Sequence, residues 1–444
     1  VTDALAGFAA SLHWDEVPVH VRHEAKRSLL NYFAVALAAR QDPTLDIAVR
    51  TYGRFASDRQ CGIIGRGTRT DMLNAAALNA MSANVYDFDD THIPTIIHPT
   101  SPVAPAVFAL AEAAPLSGAQ LLLAFILGVE TACRVGNAVS PYHYARGWHI
   151  TSTCGVFGSA LAAGRLLGLD ARQMKWALGS AASQAGGLVE TLGTMAKSVG
   201  VGNAARNGLL SALLAQQGFD GPAHPLEGAR GFLNVMGDGP DIASVGQGLG
   251  ERWEILNNTY KPYPCGVVLN PVIEACLALS SHPQLAGGGW RGITRIELTG
   301  HPLLRQRTDR PNIATGRESQ VSAQHAVAVA LVRGRAGLEE FSDAAVREPE
   351  LKALGSTVRF KDDAAFEVDG VGVRVELREG PPIASKIAVA RGGKSRPLSD
   401  ADIEGKLREL CRHGGAAVNL EALIESVWAL DRAPDASAPM RLAG

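Results

Sequence analysis

Residues 21–40 read VRHEAKRSLLNYFAVALAAR. Apolar side chains recur there at three- and four-residue intervals, the period of one helix face. The same texture continues down the chain. Segment 72–86 is rich in Ala and Asn with that period, and 102–114 begins among prolines, as helix starts do. Ser117-Gly118-Ala119-Gln120 opens a helix expected to run to about Val139, and segments 151–167, 171–185 and 203–217 follow, separated by Gly and Asp. Abundant Ala and Gly on these segments let helix axes approach closely, so the chain as far as Trp253 reads as a tight multi-helix bundle.

Beyond Trp253 the period changes. Segments 292–299 (GITRIELT), 366–377 (FEVDGVGVRVEL) and 382–390 alternate as strands do, around a helical stretch at about 319–333. The helical period returns from Leu398, with Ser399-Asp400 as a cap and Ile403, Leu407 and Leu410 on one face. The expected fold is mainly α and discontinuous. A helical domain over 1–258 is followed by an α+β domain over 259–393, and helices over 394–444 return to the first domain.

Composition narrows the function classes. With 46% hydrophobic and 19% charged residues in 444, disorder is excluded as the main state. Lys and Arg number 42 against 44 Asp and Glu, so no global basic excess favours nucleic acid or an anionic membrane. Cysteines at 61, 133, 154, 265, 276 and 411 include no CxxC pair, which argues against a disulfide framework, a zinc ribbon or an iron–sulfur cluster. The start, Val1-Thr2-Asp3-Ala4, has no signal-peptide pattern. The most apolar stretch, Leu121 to Val129, falls short of the ~20 residues that span a bilayer. A soluble, cytoplasmic protein is expected.

Four polar clusters could carry chemistry. Asp87-Phe88-Asp89-Asp90-Thr91-His92 with His98-Pro99-Thr100-Ser101 is the densest. Carboxylates and histidines at this density suit acid/base work or a divalent metal, and equally suit capping of a helix start. Arg146-Gly147-Trp148-His149 opens a small-residue helix whose N-terminus could receive a carboxylate. Read alone, His149 is better explained as a polar helix end. Gly193 to Asn203 reads as a Gly-rich loop without Walker A spacing, in which Lys197 lies in an apolar setting that could desolvate it. Tyr260-Lys261-Pro262-Tyr263-Pro264-Cys265-Gly266 is stiffened by two prolines, which hold Lys261 and Tyr263 in fixed directions. Cys265 has no neighbouring base and reads as a structural thiol.

In order and spacing, DFDDTH…HP, GWHxT, GTMAK…GNAARNG, KPYPCG and Arg317-Glu318-Ser319-Gln320-Val321-Ser322 resemble the MmgE/PrpD family. That family includes 2-methylcitrate dehydratase, cis-aconitate decarboxylase and iminodisuccinate epimerase. The resemblance covers nearly the whole chain. It implies a large all-helical domain built from both chain ends plus a smaller α+β lid domain. It also implies a homodimer and chemistry without metal or cofactor on small di- or tricarboxylates. The family's active-site positions carry over as Asp87, Thr91, His98, His149, Lys197 and Lys261. Two positions depart: Asn270 and Ser198-Val199 stand where the family often has histidines, which leaves the particular substrate open.

The resemblance implies one shared step, in which a proton or CO2 leaves the carbon beside a carboxylate and negative charge develops there. His98 or His149 would be the general acid or base. Asp87 would orient a histidine, and Lys197 and Lys261 would neutralise substrate carboxylates and the developing enolate. Thr91 and Tyr263 would position oxygens, and Arg146 and Arg206 are further carboxylate-binding candidates. Closing a lid at the domain boundary near Lys261 would exclude water. The leading expectation is a dehydratase of the 2-methylcitrate type, with decarboxylation and epimerisation as near alternatives. A metal-dependent hydrolase using Asp87, Asp89, Asp90 and His98, and a non-catalytic helical binding protein, are the competing classes.

Overall fold

The Ala- and Gly-rich texture has a direct structural consequence. A computed structural model describes residues 1–444, and its backbone contacts divide the chain into two units. The first comprises Val1–Val85, Asp89–Thr259 and Asp400–Gly444; the second comprises Tyr86–Phe88 and Tyr260–Ser399. Helix dominates throughout.

In the first unit the helix Val19–Ala38 buries every residue from Arg27 to Ala38, so its C-terminal half is covered on all faces. Helices Thr100–Ala113, Gly118–Val139, Ile150–Leu166 and Ala196–Gln216 surround it or one another with the same small-residue surfaces. Glycines mark the crossings. A Cβ on Gly158 would lie 2.5 Å from the Gly128 carbonyl oxygen. One on Gly208 would lie 2.4 Å from the Ser159 Cβ and 2.6 Å from the Val156 oxygen. Even one methyl there would push the helices apart, at a cost of about 1–3 kcal/mol. The helix Asp400–Gly414 closes onto Val19–Ala38, where Lys406 Nζ donates to Asn31 Oδ1 at 2.9 Å and Arg27 pairs with Asp400.

Three expectations need correction here. The first unit is not all helical. Cys61–Ile63 pairs antiparallel with Thr68–Thr70 across a turn in which Gly65 and Gly67 have positive φ, and Asp90–His92 is a short strand. The apolar segment around Leu121–Val129 belongs to a 22-residue helix, Gly118–Val139, long and apolar enough to cross a membrane by length and composition. It is instead mostly buried inside the protein and carries the buried pair Glu130 and Arg134, as a core helix does. The Gly-rich stretch 193–203 is mostly not a loop: the helix expected from residue 203 begins at Ala196. Gly202 allows the approach, since a Cβ there would sit 2.8 Å from Met81 Cε and 3.0 Å from the Ala77 oxygen.

The second unit contains a four-stranded sheet in the order Val358–Asp362, Ile293–Gly300, Val371–Leu377, Ile383–Ile387. The first two run parallel and the other neighbours antiparallel. Val371, Val373 and Val375 alternate inward, and helices Asn270–Ser280 and Ala323–Arg333 complete the core with Val272, Ile273, Cys276 and Val327. This is the one-sided sheet-plus-helix layering of α+β structure. Val358–Asp362 is a strand that the alternation did not reveal.

Candidate active site

Each site residue is positioned by local rules. In the first unit the strand Asp90–His92 turns back through Thr95 and Ile96, where Ile96 adopts φ 58°. The His92 N–H donates to the Ile97 oxygen at 2.8 Å and the Ile96 N–H to the His92 oxygen at 2.7 Å, which closes the turn. His98 therefore sits beside the strand it has just left. Its Nδ1 is 2.7 Å from the Asp90 carbonyl oxygen, 3.3 Å from Asp89 Oδ1 and 3.3 Å from Thr91 Oγ1. A carbonyl oxygen only accepts, so Nδ1 carries a proton, and proton exchange at neutral His98 falls to Nε2.

The carboxyls beside His98 are held from behind. Asn84 Nδ2 at 2.6 Å and Ser101 Oγ donate to Asp89 Oδ2. Thr100 Oγ1 at 2.6 Å and Asn258 Nδ2 at 2.9 Å donate to Asp90 Oδ2. Burial pushes the Asp90 carboxyl up to about 8, against the hydrogen bond from Thr100, so it is largely protonated at pH 7. A buried frame fixes the strand itself. His92 bridges Thr95 Oγ1 at 2.7 Å and Glu254 Oε2 at 3.1 Å. Burial opposes ionisation of Glu254, yet its bonds with His92 and the nearby Arg252 hold it down at about 2. Arg134, fully buried, donates to Glu130 and to the carbonyls of Val245, Gln247, Gly248 and Arg252, and so anchors the segment that carries Glu254 and Asn258.

The N-terminus of the helix Ile150–Leu166 joins these groups to His149 and Lys197. His149 is the N-cap residue, buried, with its N–H on the Gly187 oxygen at 3.0 Å and its Nδ1 2.7 Å from Ser152 Oγ. Thr151 Oγ1 accepts the His98 N–H at 3.1 Å. Ser152 also meets the helix Ala196–Gln216, because a Cβ on Gly200 would lie 2.6 Å from Ser152 Oγ. Lys197 lies one turn before Gly200 on the same helix face and is buried. A cation in a first helical turn opposes the helix dipole, so its placement there suits an anionic ligand rather than helix stability. His143, which the sequence did not single out, braces the same helix start: its Nδ1 is 3.0 Å from the Met236 oxygen and its Nε2 2.7 Å from Thr153 Oγ1.

The second unit holds the remaining pair. Asp87 has φ 52°, a left-handed conformation that Asp tolerates better than most residues. Lys261 Nζ donates to its carboxylate at 2.8 Å and to its carbonyl oxygen at 2.6 Å, and the lysine is buried. The piece carrying Asp87 is tied down by Gln320, whose Nε2 donates to the Tyr86 oxygen at 2.8 Å while its own carbonyl accepts the Gly266 N–H at 2.9 Å. Tyr263 is partly buried, and burial pushes its phenol up to about 12. Burial also pushes the Cys265 thiol up to about 12, so it is a poor nucleophile near neutral pH, and its Sγ lies 3.6 Å from Asn270 Oδ1.

The structure thus brings Thr91, His98, His149 and Lys197 together in the first unit and pairs Asp87 with Lys261 in the second. Two candidates do not join them. Arg146 is exposed and engages Tyr142, both by a hydrogen bond and by lying 5.7 Å over its ring. Arg206 stands nine residues after Lys197 on a continuous helix, at about 100° per residue, and therefore faces the opposite side. The residue that sequence reasoning valued too little is Asp89, read only as one member of a cluster that could serve acid/base work, a metal or a helix cap. Its closeness to His98 depends on the turn at Thr95 and Ile96, which spacing did not reveal.

Two family models match the chain. One, described as the MmgE/PrpD N-terminal domain, covers residues 3–244; the other, the MmgE/PrpD C-terminal domain, covers 263–431. Among curated proteins, a cis-aconitate decarboxylase of Aspergillus terreus is 30% identical over 477 residues, covering 100% of this chain and 95% of the relative. The cis-aconitate decarboxylase of Mus musculus is 26% identical, covering 100% and 93%, and that of Homo sapiens is 26% identical, covering 98% and 93%.

Proposed function

The chain belongs to the MmgE/PrpD family, and from that membership we propose that it is a lyase that decarboxylates a small unsaturated tricarboxylate of the cis-aconitate type. The observation that carries the reading is end-to-end similarity to cis-aconitate decarboxylases of fungi and mammals. This moves the preference from dehydration, the first expectation from sequence, to loss of CO2.

The chemistry asks for two things. When the carbon–carbon bond to the departing carboxylate breaks, its electron pair enters the conjugated skeleton and rests on a remaining carboxylate. Cations must stabilise that charge, and an acid must then protonate carbon. Lys197 and Lys261 have the charge for the first task. His98, with its Nδ1 proton committed to the Asp90 carbonyl, can deliver a proton from Nε2 when doubly protonated, and His149 is the second candidate acid. The protonated Asp90 lowers the negative charge beside His98 and so favours binding of a polyanion. No step calls for a metal or an organic cofactor. We also propose a homodimer, which light scattering would test.

The deciding experiment offers the purified protein cis-aconitate, methylcitrate, citrate, iminodisuccinate and tartrate, followed by proton NMR in deuterated water with CO2 detection. Stoichiometric CO2 from cis-aconitate, with one deuterium in the product, supports the proposal. An alkene formed from methylcitrate without CO2 would replace it with the hydro-lyase reading, and solvent deuterium exchange without net conversion would replace it with the epimerase reading.

A further inference from the structure

We propose that Ser152 is a positioning residue for His149: its buried hydroxyl donates to Nδ1 and so keeps the proton of the neutral ring on Nε2. Its place in a reaction rests on the lyase reading, while the hydrogen bond itself is independent of any substrate.

Ser152 is 1% exposed and His149 4%. Ser152 Oγ lies 2.7 Å from His149 Nδ1, and that nitrogen is the hydroxyl's one hydrogen-bond partner. A hydroxyl has a single proton to place, and a buried donor left without an acceptor is a rarer defect than a spare lone pair. If Nδ1 carried the ring proton and donated to Oγ, the hydroxyl proton would be left without an acceptor. The hydroxyl therefore donates, Nδ1 accepts, and the neutral ring holds its proton on Nε2.

The surroundings keep both partners in place. A Cβ on Gly187 would lie 2.7 Å from Ser152 Cβ and 3.0 Å from Oγ, and one on Gly200 would lie 2.6 Å from Oγ, so two other segments close on the serine. The His149 N–H donates to the Gly187 oxygen at 3.0 Å, and the His149 oxygen accepts the Ser152 N–H at 2.9 Å and the Thr153 N–H at 3.1 Å. At this N-cap a side chain ordinarily accepts a backbone N–H, yet here none does, and the ring nitrogen takes the hydroxyl instead. His98 is the reverse case, with Nδ1 2.7 Å from a carbonyl oxygen that can only accept. The two histidines thus hold opposite tautomers. Whatever Nε2 of neutral His149 meets, it meets as a donor, which suits a carboxylate or the oxygen of a developing enolate. A second proton on Nδ1 would require the hydroxyl to turn away and lose its acceptor.

The test uses the whole protein, 15N-labelled in its histidine rings, at about pH 8, where an ordinary histidine is neutral. The His149 signals, assigned by their loss in His149→Gln, should show an unprotonated Nδ1 and a protonated Nε2 in the wild type. In Ser152→Ala the Nδ1 signal should move to that of a nitrogen accepting no hydrogen bond, with the His98 signals unchanged. On the substrate identified by the panel above, kcat of Ser152→Ala should fall by about 10–10²-fold with KM changed less than threefold.

A wild-type His149 protonated on Nδ1 would overturn the proposal without any variant. So would a Ser152→Ala protein with wild-type His149 signals, or one whose kcat is within threefold of wild type. If no polycarboxylate is turned over, the lyase reading fails while the ring signals still decide whether Ser152 fixes the tautomer.

Discussion

The pair Asp87–Lys261 allows stability and chemistry to be separated by two substitutions. Lys261 Nζ lies 2.8 Å from the carboxylate, and the two side chains differ in exposure, 2% for the lysine and 26% for the aspartate. Breaking a fully buried pair costs about 3–5 kcal/mol, because the surviving charge is left without compensation. Lys261→Met leaves a carboxylate that is a quarter open to water, so its cost should lie well below that range, at about 1–2 kcal/mol. Asp87→Asn leaves the more deeply buried ammonium, and its cost should approach about 3 kcal/mol even with the Asp87 carbonyl still accepting. Restoring neutrality in the double variant should recover part of the summed loss, as coupled neighbours do. Activity should follow a different order. If Lys261 neutralises a substrate carboxylate or the developing enolate, Lys261→Met should lose about 10²–10³-fold in kcat/KM, and the double variant should recover none of it. Urea unfolding followed by circular dichroism measures the first series, and steady-state decarboxylation the second. A Lys261→Met protein with turnover within threefold of wild type would remove the lysine from the mechanism. A larger stability loss in Lys261→Met than in Asp87→Asn would refute the ranking by exposure.

Three further outcomes are expected. His149→Gln, which keeps a polar side chain at the N-cap, should retain the wild-type circular dichroism spectrum and lose at least about 10²-fold in kcat; near-normal turnover would exclude His149 from proton transfer. Burial raises the Asp90 carboxyl to about 8, above its unfolded value, so the native state holds the extra proton. The stability it contributes is complete below about pH 4 and is lost as pH rises through about 8. Asp90→Asn should therefore gain on wild type in urea midpoint between pH 5 and pH 9, and a constant difference over that range would show that Asp90 does not titrate there. Activity should survive exhaustive dialysis against a chelator, whereas loss reversed by one added divalent ion would favour the metal-dependent hydrolase.

The helices were legible because their signals are local. Apolar period, Ala and Gly content and caps such as Asp71, Ser117 and Asp170 all act within a few residues, and the helices after those caps lie close to their expected limits. The strand Val358–Asp362 was hidden because only Val358 is buried along it, so no alternation marks it. The helical start at Ala196 was hidden for the opposite reason. Gly200 and Gly202 disfavour helix by propensity, and contacts with Ser152, Met81 and Ala77 from other helices override that preference. At the site, residue identity was readable and partnership was not. Asp87, Asp89 and Asp90 lie within four residues, yet one pairs with Lys261, one faces His98 and one accepts from Thr100 and Asn258 and is kept protonated by burial. Turns and distant side chains decide those fates.

How the helices begin bears on which class of ligand the site receives. In the first unit, Met72–Asn84, Gly118–Val139 and Ala171–Ala182 start with Asp71, Ser117 and Asp170, each accepting a backbone N–H. The three helices that follow His98, follow His149 and carry Lys197 start without a side-chain cap. Their first turns contain no acidic residue, and the third contains a lysine. Uncapped helix starts present N–H donors and partial positive charge, which attract carboxylates and repel metal ions. The carboxyl set points the same way. Burial keeps the proton on Asp90 up to about 8, so one of the carboxyls beside His98 adds little negative charge near neutral pH. A site built to hold a cation would not bury a neutral acid beside a histidine and add a lysine at a helix start. One built to hold a polyanion gains from both choices, since each removes negative charge or supplies positive charge where the carboxylates of the proposed substrate would rest.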